Sequence, residues 1–199
     1  FPVPGALSAH LDACIAAHPS DMAVALRALD AEVEIRGPDG ATRTAALDDL
    51  YRLPGDRPDL ETTLEAREII TAVRLPAPSP GTAQVYRKVR DRASYAFALV
   101  SVAASVRLQD GRIAEVALAF GGVGVRPWRN PEAEAVLIGE PPSDALFLEA
   151  ADVLLARART EPANEFKVPL ARGALTATLR EATGLTPAAA GPDLTGEAA

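Results

Sequence analysis

Along residues 31–36, Val33 and Ile35 alternate with Glu32 and Glu34. A period of two sets both apolar side chains on one face, the pattern of a half-buried strand. Gly37-Pro38-Asp39-Gly40 supplies a turn, and 41–45 is predicted to return as a second strand. The same period in 68–75 places Ile69, Thr71, Val73 and Leu75 on one face of a third strand. Ahead of these strands the spacing changes: Val24, Leu26 and Leu29 suit a short helix over 20–29. Ser20 is its N-cap, and Asp21 suits the positive helix N-terminus. His18 must be extended, because a residue before proline avoids the helical region. A single helical turn is expected at 47–51, followed by the loop Leu53-Pro54-Gly55-Asp56.

Pro76-Ala77-Pro78-Ser79-Pro80-Gly81 interrupts the pattern and marks a domain boundary. Beyond it a strand over 83–89 leads into a hairpin, 98–108 and 112–120, turned by Asp110-Gly111. Helical spacing then takes over in 131–137, in 144–159 behind the cap Ser143, and in 170–181. Three antiparallel strands followed by three helices make an α+β arrangement. The chain thus divides into 1–78, 79–185 and a flexible tail, 186–199. No internal repeat is visible.

Composition narrows the classes of function. The 199 residues carry a net charge of −7 and a pI near 4.9. Nucleic-acid binding normally needs a basic surface, so no such partner is expected. No apolar run reaches the ~18 residues of a membrane span. The N-terminus shows no basic region or apolar core of a signal peptide. It begins with Phe1, so a longer subunit, with an upstream part, is expected. The single cysteine, Cys14, excludes an intrachain disulfide, and a zinc or iron–sulfur site would need more soft ligands. In the apolar run Ala13 to Ala17 it is read as a small buried hydrophobe.

Candidate chemistry is concentrated in Tyr86-Arg87-Lys88-Val89-Arg90-Asp91-Arg92-Ala93-Ser94-Tyr95-Ala96, which sets four cations between two tyrosines in an acidic chain. Alternation points Lys88 and Arg90 away from Arg87 and Val89, so one charged row must lie against something. A cofactor or a subunit would satisfy it; a solvated, salt-bridged edge is the plain alternative. His18 near Asp21 reads as local capping, structural support or a cofactor contact more than as an acid/base pair. Gly121-Gly122-Val123-Gly124 follows a strand, but without phosphate-loop spacing, and reads as close backbone packing. Trp128 between Arg126 and Arg129 is an interface anchor or a core residue. No serine elbow, zinc box or Walker loop is present.

His18-Pro19-Ser20-Asp21-Met22-Ala23, Arg67-Glu68-Ile69-Ile70-Thr71-Ala72-Val73, the basic segment, Gly121-Gly122-Val123 and Pro127-Trp128-Arg129 occur in that order. Together they resemble the FAD-binding medium subunit of molybdenum hydroxylases, the xanthine dehydrogenase and carbon monoxide dehydrogenase group, most closely its aldehyde oxidoreductase branch. The resemblance spans about residues 10–185. It implies the end of an FAD-binding α+β domain, followed by a three-stranded antiparallel sheet covered by a three-helix bundle.

It also implies a heterotrimer. A large subunit with the molybdenum cofactor would oxidise an aldehyde or heterocycle. A small subunit with [2Fe–2S] clusters would pass electrons to FAD here, and FAD would deliver them to an outside acceptor. By motif, Asp21 would be the acidic FAD contact, and Ile70, with Ile69, would lie against the isoalloxazine. Lys88 would approach the pyrimidine end. Tyr95, Arg90 and Arg92 would make flavin or interface contacts, and His18 a supporting one. Export would follow a partner into the periplasm, as in the aldehyde oxidoreductase branch; otherwise the complex is cytoplasmic.

The pattern also departs from the family. The glycine loops that hold the FAD pyrophosphate, one of Ala-Gly-Gly-Thr type, are absent, and so are the upstream cysteines of an extra [4Fe–4S] cluster. Hence the expectation that the chain is the C-terminal portion of a subunit that retains little FAD by itself. The alternatives are a flavin-free assembly module and, more remotely, a nucleotide-binding regulatory domain.

Overall fold

The computed structural model describes residues 14–185. Its elements are α1 (Asp21–Ala28), β1 (Glu32–Arg36), β2 (Thr42–Ala46), α2 (Leu47–Leu50), β3 (Ile69–Arg74), β4 (Thr82–Val89), β5 (Val100–Gln109), β6 (Arg112–Gly121), α3 (Pro131–Leu137), α4 (Asp144–Leu155) and α5 (Lys167–Thr183). They form two separate three-stranded antiparallel sheets, ordered β2-β1-β3 and β4-β5-β6. This is the α+β arrangement expected, with three helices after the second sheet. The tail 186–199 lies outside the described residues.

The first sheet has a small core. Val33 and Ile35 of β1 are buried against Leu47 and Leu50 of α2. A bulge between Glu34 and Ile35 sets Ile70 opposite Ile35 and Val73 opposite Val33. Directly opposed residues share a face, so Ile70 and Val73 lie on the core side together. The strict alternation of Ile69, Thr71, Val73 and Leu75 is therefore corrected by the one extra residue the bulge admits.

The second sheet holds most of the buried apolar residues. Val100, Val102, Ala104 and Val106 of β5 and Val116, Leu118 and Phe120 of β6 face a core completed by Phe147, Leu154, Leu175 and Leu179 from the helices. Asp110 and Gly111 take φ of 52° and 75°, the pair of positive values that a two-residue hairpin turn demands. Helix α4 ends at Leu155, short of the expected 159. There the helix tightens: the Ala156 and Ala158 N–H groups bond three residues back, to Val153 and Leu155. Helix α5 starts at Lys167, before the expected 170. Pro169 falls in its first turn, where the missing N–H has no intrahelical partner to lose.

Helix α1 links the two sheets. Ser20 caps it by accepting from the Ala23 N–H at 3.2 Å. Its Val24 and Ala28 pack on Ala103 and Ala119 of the second sheet. These alanines oppose each other across β5 and β6 on the face away from α5. Small side chains there let the helix axis come close.

Candidate functional site

The α1 docking face is built from residues two apart. On β4, Tyr86 and Lys88 point to the α1 side, because their β5 partners are Ala103 and Ser101; Arg87 and Val89, opposite Val102 and Val100, point to the α5 side. Arg87 accordingly reaches Glu181 of α5 at 2.6 Å. Ser101 opposes Gly121 of β6. A Cβ on Gly121 would collide with Ser101 Oγ and stand 2.7 Å from Val24 Cγ2. Glycine at 121 is thus what allows α1 to lie flat and deliver Asp21 to the edge of the sheet.

At that edge Asp21 joins two groups far off in sequence. Tyr86 Oη donates to Asp21 Oδ1 at 2.8 Å, and Lys88 Nζ donates to Oδ2 at 2.6 Å. Burial first, and then the Asp21 carboxylate, push the Tyr86 phenol's pKa up, against the pull of the Ser101 hydroxyl. The Lys88 and Asp21 side chains are 23% and 40% exposed. Water screens a pair this open, so it contributes about 1 kcal/mol or less and either partner can turn to a ligand. Lys88, from the charged row that the sequence left without a partner, therefore finds one within the chain.

The other candidate residues are placed differently. His18 donates its backbone N–H to the Gly124 carbonyl at 2.8 Å and sets its ring edge-on to Tyr51 at 4.8 Å. Its Nε2 is buried without a hydrogen-bond partner, and burial lowers the imidazole's pKa against the pull of Glu61. It makes no pair with Asp21, which turns to Tyr86 and Lys88. Ile69 and Ile70 lie on β3 of the first sheet, 61% and 43% exposed. Neither belongs to the Asp21 cluster. Tyr95 stands in the loop after β4, almost fully exposed, at φ 54°, in the left-handed region that costs a non-glycine residue strain. Arg92 donates to its carbonyl and lies 5.8 Å from its ring centre. Cys14 is half-buried rather than buried, with Sγ accepting from the Ala16 N–H at 3.4 Å.

The glycine cluster is a packing device. Gly122, at φ 75°, would bring a Cβ to 2.6 Å from the Leu99 carbonyl oxygen and 2.9 Å from that of Ala98. Its own carbonyl accepts from the buried Lys167 Nζ at 2.5 Å. Burial pulls that ammonium's pKa down to about 8. Trp128 exchanges backbone hydrogen bonds of 2.7 and 2.9 Å with Phe120 and packs on the core. Arg129 bonds the buried Glu134 through two nitrogens at 2.6 and 3.0 Å and reaches back to Asp30. A cleft of about 310 Å³ lies between Leu53, Trp128 and Arg157, and none of the candidate cofactor contacts lines it. Among the described residues no helix is long and apolar enough to cross a membrane.

Sequence reasoning gave Ser101 no role, left the Tyr86 hydroxyl unassigned within the basic segment, and read Gly121 as close backbone packing without naming what it packs against. Their signal is the i, i+2 spacing of Tyr86 with Lys88, and the small residues Ser101, Ala103, Ala119 and Gly121 at the same period on the two neighbouring strands.

Comparison with known proteins agrees with this layout. Residues 10–78 match the model of the FAD binding domain in molybdopterin dehydrogenase, and residues 84–182 that of the CO dehydrogenase flavoprotein C-terminal domain. The chain is 49% identical over 172 residues to the aldehyde oxidoreductase FAD-binding subunit PaoB of Escherichia coli (strain K12), covering 86% of this chain and 50% of that protein. It is 30% identical to the carbon monoxide dehydrogenase medium chain of Afipia carboxidovorans, over 75% of this chain and 49% of that one. The solved carbon monoxide dehydrogenase of Hydrogenophaga pseudoflava, lacking the Mo-pyranopterin moiety of its cofactor, superposes with a TM-score of 0.71 at 25% identity, over 82% of this chain and 59% of that chain. The chain thus spans about half the length of the curated relatives it matches. With one family model on each side of the proline-rich segment, it belongs to the FAD-binding flavoproteins of the molybdopterin dehydrogenases.

Proposed function

We propose that this chain forms one wall of a flavin site in the FAD-binding, electron-transfer subunit of a molybdenum hydroxylase of aldehyde oxidoreductase type. The observation that carries the reading is the meeting of Asp21 and Lys88, 67 positions apart, at one partly open edge. FAD, when bound, would collect two electrons one at a time for delivery to an acceptor, and the protein would supply its orientation and electrostatics.

The residues present fit the polar, non-phosphate part of that group. Each Asp21 oxygen has accepted one hydrogen bond and keeps a lone pair for a ligand hydroxyl. Lys88 would hold positive charge where reduction builds negative charge. Ile69 and Ile70 would offer exposed apolar surface to a flat ring, and His18 Nε2 is a buried polar atom still without a partner. Tyr95 would close the site from its loop. The division into residues 1–78 and 79–185 would leave Asp21 on one unit and Lys88 on the other.

The partners proposed are a large subunit with the molybdenum cofactor and a small subunit with [2Fe–2S] clusters, and the compartment is the periplasm, reached with a partner. The aldehyde oxidoreductase name of a 49% identical relative supports this branch. A second reading, a flavin-free assembly module, is favoured by the packed state of residues 121–124, which leaves that glycine cluster no open cradle for a pyrophosphate. A visible spectrum of the assembled enzyme separates the two: flavin bands support the first, and a colourless, correctly assembled complex the second. In the flavin-loaded complex, Lys88→Ala should slow flavin reduction about tenfold or more, the effect of removing a charged partner, with Tm unchanged. Unaltered reduction kinetics would remove Lys88 from the site.

A further inference from the structure

Tyr86 opens the basic segment of the family resemblance, which gives its hydroxyl no role, yet that hydroxyl is one of the two groups that hold Asp21. Its placement is determined from three sides. The β4–β5 register puts its ring on the α1 face opposite Ala103, two residues from Lys88. Gly121 and the small residues beside it let α1 settle there. The Ser20 cap fixes the first turn, so the Asp21 backbone cannot fray away from the sheet. What remains free is the carboxylate's rotation about its own bonds, and the phenol takes that up: Tyr86 Oη bonds Oδ1 at 2.8 Å while Lys88 Nζ takes Oδ2 at 2.6 Å. With Oδ1 held, Oδ2 has one direction, toward Lys88. Without the phenol either oxygen could swing outward, and the pair would persist in only a fraction of molecules.

We propose that Tyr86 is a positioning residue of the flavin site. It touches Asp21 rather than the cofactor, and it presets the Asp21–Lys88 pair so that a ligand meets one arrangement of charge. The inference rests on the functional reading above. Preorganisation of this kind appears in affinity and in the redox property of the bound group, because ordering otherwise falls to the binding step. The Asp21 side chain is 40% exposed, so water screens this bond as it does the Lys88 pair, and its loss should weaken FAD binding severalfold, up to about tenfold. The fold should not respond, since phenylalanine keeps the ring and its packing.

The test uses the assembled enzyme in four forms: unaltered, Tyr86→Phe, Asp21→Asn and the double variant. In each, FAD dissociation, the flavin midpoint potential and Tm are measured. The expected result is weaker FAD retention and a shifted potential in both single variants, no further change on adding Tyr86→Phe to Asp21→Asn, and one Tm throughout once FAD has been removed. If Asp21→Asn leaves FAD retention and potential unchanged, the functional reading of the site fails. If Asp21→Asn weakens FAD but Tyr86→Phe is silent, or acts equally in both backgrounds, the positioning role is overturned and the functional reading stands.

Discussion

The β4-β5-β6 sheet is covered on one face by α5, with α3 and α4 around it, and on the other by α1. Among the described residues, the β2-β1-β3 sheet has α2, with Leu26 of α1, Tyr51 and Leu64, over part of one face, and its β3 pairs with β1 alone. In the second sheet Val100, Val102, Ile113 and Phe120 are wholly buried, whereas on β3 Ile69, Ile70 and Val73 are 61%, 43% and 44% exposed. The same α+β vocabulary thus serves two ends. Where both faces are closed, apolar residues hold the fold. Where the edge strand β3 is left incompletely covered, apolar residues of the same kind remain available to a ligand or another element.

Phe147→Ala against Ile70→Ala would break that comparison most readily. Phe147 lies at 0% exposure in the second core, and its truncation should cost about 3–5 kcal/mol. Ile70→Ala, at 43% exposure on the edge strand, should cost about 1 kcal/mol or less. Urea unfolding measures both, and equal losses would show that the two sheets do not differ as described.

Gly121→Ala tests the join between the regions. The added methyl must displace Val24 or Ser101, so a loss of about 1–3 kcal/mol is expected. It should appear as faster hydrogen exchange in α1, with α4 and α5 unchanged. Uniform exchange across the chain would mean that α1 is not docked by this contact.

The smallest effect expected lies in the first sheet. Arg43, by hydrogen bonds of 2.9 and 2.7 Å, and then the Glu65 N–H hold the Glu68 carboxyl down at about 2, from an ordinary 4.5. A depressed carboxylate pKa adds stability that is present above pH 4.5 and is lost as pH falls toward 2. Acid unfolding of Glu68→Gln should lack this component and be shallower than that of the unaltered chain over the same interval. Superimposable acid curves would sink the assignment.

Much of this was legible in local pattern. The Ser20 and Ser143 caps, the Asp110-Gly111 turn and the alternation of Val33 and Ile35 act over a few residues, so spacing reveals them. Asp21 and Lys88 were legible through the family motifs. The bond between them was not, because it depends on α1 leaving the first sheet for the second. That choice lies in the small residues of β5 and β6, whose periodicity is the absence of bulk rather than the presence of a group. The bulge that turns Ile70 toward the core side escapes strict alternation for a related reason: one extra residue resets the face of everything before it.

On the proposed function, the exposed edge strand β3 of the first sheet and the Asp21 edge of the second meet the same flavin. Hydrogen exchange of the assembled enzyme, with FAD and after its removal, tests it most directly. FAD-dependent protection is expected both in residues 20–24 with 86–90 and in residues 69–71, with β5 and α5 unchanged. Protection in neither segment, on a complex whose spectrum shows bound flavin, would contradict it.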